Sequence, residues 1–71
     1  MPQFETERPG EPAAVLRARD AEDAVRRAFG LPDLAVVAVG AAARDAWAPV
    51  TVNGASAGRV RPHARMRFRR D

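Results

Sequence analysis

Seventy-one residues with no cysteine make one small domain (1–71) with no disulfide, no thiolate metal site and a core that is small from the outset. One histidine is too few for a structural zinc site, no apolar run approaches the ~20 residues of a membrane span, and Met1–Glu5 lacks the basic and apolar regions of a signal peptide, so the expected setting is the cytoplasm, away from membranes. All twelve basic residues are arginine and they are unevenly placed, residues 1–45 carrying net −2 and residues 46–71 net +5, an asymmetry that suits an acidic partner.

Gln3-Phe4-Glu5-Thr6-Glu7 alternates as a strand, Arg8-Pro9-Gly10-Glu11-Pro12 is dense in turn residues, and Ala14-Val15-Leu16-Arg17-Ala18-Arg19 pairs back as a second strand. A register placing Phe4 opposite Ala18, Thr6 opposite Leu16 and Glu5 opposite Arg17 puts the apolar partners on one face and an ion pair on the other. Asp20 to Phe29 reads as a helix. Asp20 is its N-cap and Asp23 its third residue. Ala21, Ala24, Val25, Ala28 and Phe29 form one apolar face, and Glu22 with Arg26 and Asp23 with Arg27 are i,i+4 pairs in the favourable orientation. Gly30 suits a left-handed C-cap, and Pro32 blocks continuation.

Leu34-Ala35-Val36-Val37-Ala38-Val39 is continuously apolar and rich in valine, the pattern of an interior strand. Residues 41–48 read as a short helix or a loop that Pro49 ends, with Trp47 as a core or partly buried anchor. Val50-Thr51-Val52 is a short strand, Asn53-Gly54 a tight-turn dipeptide, and Gly58 a second breaker. Residues 59–69, Arg-Val-Arg-Pro-His-Ala-Arg-Met-Arg-Phe-Arg, alternate without interruption. They predict a closing strand with Val60, Pro62, Ala64, Met66 and Phe68 on the core face. Arg59, Arg61, His63, Arg65, Arg67 and Arg69 lie on the other face.

The element order resembles the ubiquitin-like β-grasp fold. The resemblance implies an α+β protein: a small mixed sheet of four to five strands packed on one helix, ββαββ, with the last strand parallel beside the first. It extends over nearly the whole chain and rests on element order without a family motif. In that arrangement Glu5 and Glu7 share a face with Arg65, Arg67 and Arg69. Two acids cannot balance the five outer-face arginines 17, 19, 65, 67 and 69, and Arg59 and Arg61 lie outside the pairing. Ubiquitin-like modifiers end in Gly-Gly, whereas this sequence ends Arg69-Arg70-Asp71, so their carboxylate chemistry is not expected. Val50-Thr51-Val52-Asn53-Gly54 is also similar to a strand-turn of S4-type RNA-binding domains, without the arginine-bearing helix that precedes it there.

No nucleophile–base set, no spaced carboxylate pair and no phosphate-cradling glycine loop is present, and His63 reads as a surface polar residue. The expectation is therefore a protein without cofactor, metal or catalytic residues, an interaction module or an accessory subunit of an enzyme complex. Arg17, Arg19, Arg59, Arg61, Arg65, Arg67 and Arg69 would dock an acidic protein surface, since guanidinium is always charged and presents a fork suited to carboxylate. The alternative is a small RNA- or DNA-binding protein using the same face. Against it, no aromatic residue is interleaved with the arginines.

Overall fold

Asp20 fixes where the only helix of the described chain begins. Its carboxylate accepts from the Asp23 N–H at 2.8 Å, and its own backbone is extended. The computed structural model describes residues 1–63, in the order β1 (Gln3–Glu7), β2 (Ala14–Arg17), α1 (Ala21–Phe29), β3 (Val37–Val39), β4 (Ala48–Val52) and β5 (Ala55–Pro62). Gly30 closes α1 in the left-handed region, and Leu31 N–H returns to the Arg26 carbonyl. The Glu22–Arg26 and Asp23–Arg27 pairs form at 3.1 and 3.0 Å. All of these features follow the sequence reading.

The strands form one five-stranded sheet in the order β2-β1-β5-β4-β3. Every neighbouring pair is antiparallel. The protein is thus α+β with three strands after the helix, and two expectations are corrected. The sheet is not mixed, and the closing strand runs antiparallel to β1, with Phe4 opposite Pro62 and Glu7 opposite Arg59. The turn at Asn53-Gly54 is tight, with both residues at positive φ. It folds β5 straight back on β4, so β5 begins at Ala55 rather than Arg59. Gly58 does not break the strand; it sits beside the irregularity where the β4–β5 register shifts.

The hairpin register is also corrected. Phe4 lies opposite Leu16, Glu5 opposite Val15 and Gln3 opposite Arg17. This differs from the expected register by two in the sum of paired numbers, so every residue keeps its expected face while Glu5 and Arg17 become diagonal. Residues 34–39 are not an interior strand. Only Val37–Val39 pairs, and it does so at the sheet edge, leaving Leu34 93% and Val36 65% exposed. Residues 41–46 are an extended loop and a turn, not a helix.

The core lies between α1 and one face of the sheet, with Phe4, Ala18, Ala24, Val25, Ala48, Val50 and Val60 buried together. Val25, Val50 and Val60 are the largest wholly enclosed side chains, each contributing about 1.5–3 kcal/mol by burial. Thr6 is the one buried polar residue of the described chain. The opposite sheet face has no layer over it among the described elements, and it carries the charged residues of β1, β2 and β5.

Candidate functional site

Period-2 alternation sends Phe4 and Thr6 to the core and Gln3, Glu5 and Glu7 outward; on β5 it buries Val60 and turns Arg59 and Arg61 outward. Because Glu5 pairs with Arg61 and Glu7 with Arg59 in the antiparallel register, acid and base stand directly across from one another. Glu5 Oε1 accepts from Arg61 Nε at 2.9 Å, and Glu7 Oε1 accepts from Arg59 Nε. The ladder expected between these acids and Arg65, Arg67 and Arg69 therefore forms with Arg61 and Arg59 instead. Residues 64–71, which include Arg65, Arg67 and Arg69, lie outside the described residues.

Trp47 completes the cluster. The turn closed by Ala46 N–H to the Ala43 carbonyl, with Asp45 in the left-handed region, delivers the chain into β4. Ala48, Val50 and Val52 then face the helix, so Trp47 takes the outer face beside Arg61. The guanidinium carbons of Arg59 and Arg61 each lie 4.4 Å from the indole centroid, within cation–π range. An aromatic residue does stand among the arginines, contrary to the sequence reading. The signal was present: an odd-numbered residue in a strand whose even-numbered residues are core points away from the core.

Both guanidiniums engage their glutamates through Nε, and their terminal nitrogens have no hydrogen-bond partner among the described residues. Arginine has five N–H donors in a fixed fork, so the glutamates orient each group and leave its outer edge open. The Arg59 side chain is 48% exposed and that of Arg61 38%. The remaining candidates are peripheral. Arg17 is exposed on edge strand β2, two strands from Arg61. Arg19 lies beyond β2 at the helix start, with Nε 3.9 Å from Asp23. They do not join the Trp47 cluster.

A concavity of about 440 Å³ at one end of this face is lined by Glu5, Asp45, Arg61, Pro62 and His63. Among the described residues no three His, Asp or Glu side chains are grouped to hold a metal, and no helix is long and apolar enough to cross a membrane. The one resolved titration shift is structural. The Asp23 carboxyl lies below its ordinary value of 3.8, mainly because it accepts the Arg19 backbone N–H, with further help from the Arg27 guanidinium. Residues 1–63 hold eight arginines and eight acids, so the net +3 of the chain resides in residues 64–71. No protein-family model matches the chain, and neither the curated proteins nor the solved structures contain a significant match.

Proposed function

We propose that the protein is a non-catalytic interaction module that docks an acidic protein surface through the outer face of its sheet. The observation that carries this reading is the half-exposed cluster of Trp47, Arg59 and Arg61 on a face with no layer over it among the described residues. Tryptophan and arginine are the residue types that dominate binding energy at protein interfaces. Here the two arginines are held in place by Glu5 and Glu7 and lie against Trp47, so little side-chain entropy remains to be lost on binding. Arg17 adds positive charge at the β2 edge of the sheet, and Arg65, Arg67 and Arg69 follow β5 in the sequence.

Trp47 is the only tryptophan and the chain has no tyrosine, so intrinsic emission reports on this cluster alone. Poly-L-glutamate titrated into the protein is expected to shift Trp47 emission saturably, and Arg59→Ala with Arg61→Ala is expected to weaken that binding at least tenfold, the scale of one hot-spot residue. An unmoved emission, or an unchanged affinity in the double variant, overturns the reading.

The aromatic residue on the arginine face favours a second reading, single-stranded nucleic acid stacked on Trp47. Oligothymidylate distinguishes the two. Three arginine–phosphate contacts give a log–log salt slope near −2, so its affinity would fall about 20-fold between 50 and 200 mM salt. Binding of oligothymidylate with that slope, in the absence of poly-L-glutamate binding, transfers the site to the second reading.

A further inference from the structure

The two edges of the sheet differ in chemistry. The β2 edge carries Arg17, is followed by Arg19 and preceded by Pro12, the usual means by which an open edge is blunted. The β3 edge has no such protection. Residues 34–43, Leu-Ala-Val-Val-Ala-Val-Gly-Ala-Ala-Ala, contain no charged or polar side chain and no proline.

The exposure around this edge is built in. Arg26, on the helix, donates to the Pro32 carbonyl at 3.4 Å and the Ala35 carbonyl at 2.8 Å, and Ala35 is buried. Val36 is tied at both backbone groups, its carbonyl accepting from Asn53 N–H at 2.7 Å and its N–H donating to Asn53 Oδ1 at 2.9 Å. These anchors hold Leu34 and Val36 outward in a fixed position.

The anchors also show which backbone groups remain open. Val36 and Gly40 both direct their backbone groups toward the β4 side, Gly40 N–H reaching the Pro49 carbonyl at 2.8 Å. By alternation, Val37 and Val39 direct theirs away from β4. No described strand lies on that side.

We propose that the β3 edge is a self-association site, pairing antiparallel with β3 of a second copy about a two-fold axis at Ala38. This register sets Val37 opposite Val39 of the second copy and Val39 opposite its Val37. All four open backbone groups of each edge residue pair are then used, whereas an axis at Val37 sets Val39 opposite Ala35, whose backbone groups are bonded to Pro32 and Arg26, and an axis at Val39 sets Val37 opposite Ala41, beyond the end of β3. Val36 falls opposite Gly40, which has no side chain, and the Leu34 end of one edge meets the Gly40-Ala41-Ala42-Ala43 end of the other. Large exposed residues thus face small ones in both directions, as an isologous contact requires. An uncharged edge gives an acidic or basic partner nothing to recognise, while an identical edge complements it. The pairing is short and buries less than a standard interface, so the dimer is weak.

The chain has no cysteine, so single introduced thiols report the register. Ala38→Cys places two thiols at a non-hydrogen-bonded pair about 4.5 Å apart between Cα atoms, within disulfide reach. Val36→Cys places each thiol opposite Gly40. Mild oxidation is expected to give a covalent dimer from Ala38→Cys and little from Val36→Cys. In sedimentation at up to about 1 mM protein, the wild-type mass is expected to rise from 7.7 kDa toward twice that value. Ala38→Lys, which sets like charges together at the axis, should remain at 7.7 kDa with an unchanged circular dichroism spectrum. Leu34→Ser, at a residue 93% exposed and therefore neutral to folding, should weaken association. A wild-type chain that stays monomeric throughout, equal cross-linking of both cysteine variants, or undiminished association of Ala38→Lys and Leu34→Ser overturns the proposal.

Discussion

Of the five glycines, Gly58 leaves least room for a side chain. It lies in β5 at φ +149, a region open almost only to glycine, and a Cβ built there collides with the Glu7 carbonyl oxygen. The same atom would lie 3.2 Å from Phe29 Cζ and 3.3 Å from Arg8 Cα. Two of these three neighbours are backbone and cannot swing aside. Backbone strain of this kind costs about 1–3 kcal/mol, and forced overpacking costs a further 1–3 kcal/mol. Gly58→Ala is therefore expected to lose about 2–6 kcal/mol. A domain of this length has roughly 4–10 kcal/mol in total, so the variant should be barely folded at room temperature. The assay is urea unfolding followed by Trp47 emission. With a slope near 1 kcal/mol/M, the midpoint should fall by about 2 M or more. Gly10→Ala is the control, because Gly10 also has positive φ but no atom within 4 Å of its Cβ position; it should lose only the 1–2 kcal/mol of left-handed strain. A Gly58→Ala midpoint no lower than that of Gly10→Ala would refute the collision argument.

Two further outcomes follow from the loop geometry and the helix cap. Asn53→Ala removes both a residue suited to φ +52 and the acceptor for Val36 N–H, so it should cost about 2 kcal/mol, against about 1 for Asn53→Gly, which keeps the backbone freedom; denaturation midpoints check the difference, and hydrogen exchange at Val36 should accelerate in both. For Asp23, the folded carboxyl is held below its ordinary 3.8, so its stabilising contribution is present above that value and disappears as pH falls through the lower folded midpoint. NMR titration should place that midpoint below 3.8, and Arg27→Ala should return it only part of the way, because the larger cause, the Arg19 N–H, remains.

The sequence was legible where one residue alone determines a local geometry. Asp20, Asp23 and Gly30 mark the helix ends because capping is a contact between near neighbours, and the five apolar positions between them fix the buried face. Face assignment on β1 and β2 was equally readable, since alternation survives a register error. Pairing partners were not. Whether Val37–Val39 is interior or edge depends on what lies beyond it, and an apolar run reads the same in both places. Gly58 reads as a breaker because a glycine inside a strand and one between strands look alike in sequence; only the closeness of Glu7 and Phe29 distinguishes them. Trp47 is partly buried, one of the two places the sequence reading allows, but it stands on the arginine face, where its parity with Pro49 and Thr51, opposite to that of Val50 and Val52, sets it. The sequence reading gives the arginine ladder in kind, but with acid partners at the other end of the closing strand, because the β-grasp resemblance supplies a parallel neighbour where β1 and β5 are antiparallel.

The two proposed surfaces have a geometric relation that neither shows alone. A two-fold axis through Ala38 in an antiparallel pair of edge strands runs perpendicular to the sheet, so it keeps the outer faces of both copies on the same side. In sheet order β5 is two strands from β3. With strands about 4.8 Å apart, and the cluster level with residues 40–42, about three residues or ~10 Å along the strand from Ala38, each Arg59–Arg61 cluster stands roughly 16 Å from the axis, and the two clusters about 31 Å from each other on one continuous face. A polyanion long enough to span that gap binds the second cluster as an intramolecular event, and its apparent affinity rises without any new contact. A short acidic peptide gains nothing from dimerisation, since it reaches one cluster only. The dependence of affinity on polyanion length thus separates the edge contact from the arginine–tryptophan face. If the face binds and the edge does not pair, long and short polyanions differ only by the number of registers available. If the edge pairs and the face does not bind, the protein dimerises with no response from Trp47 to either.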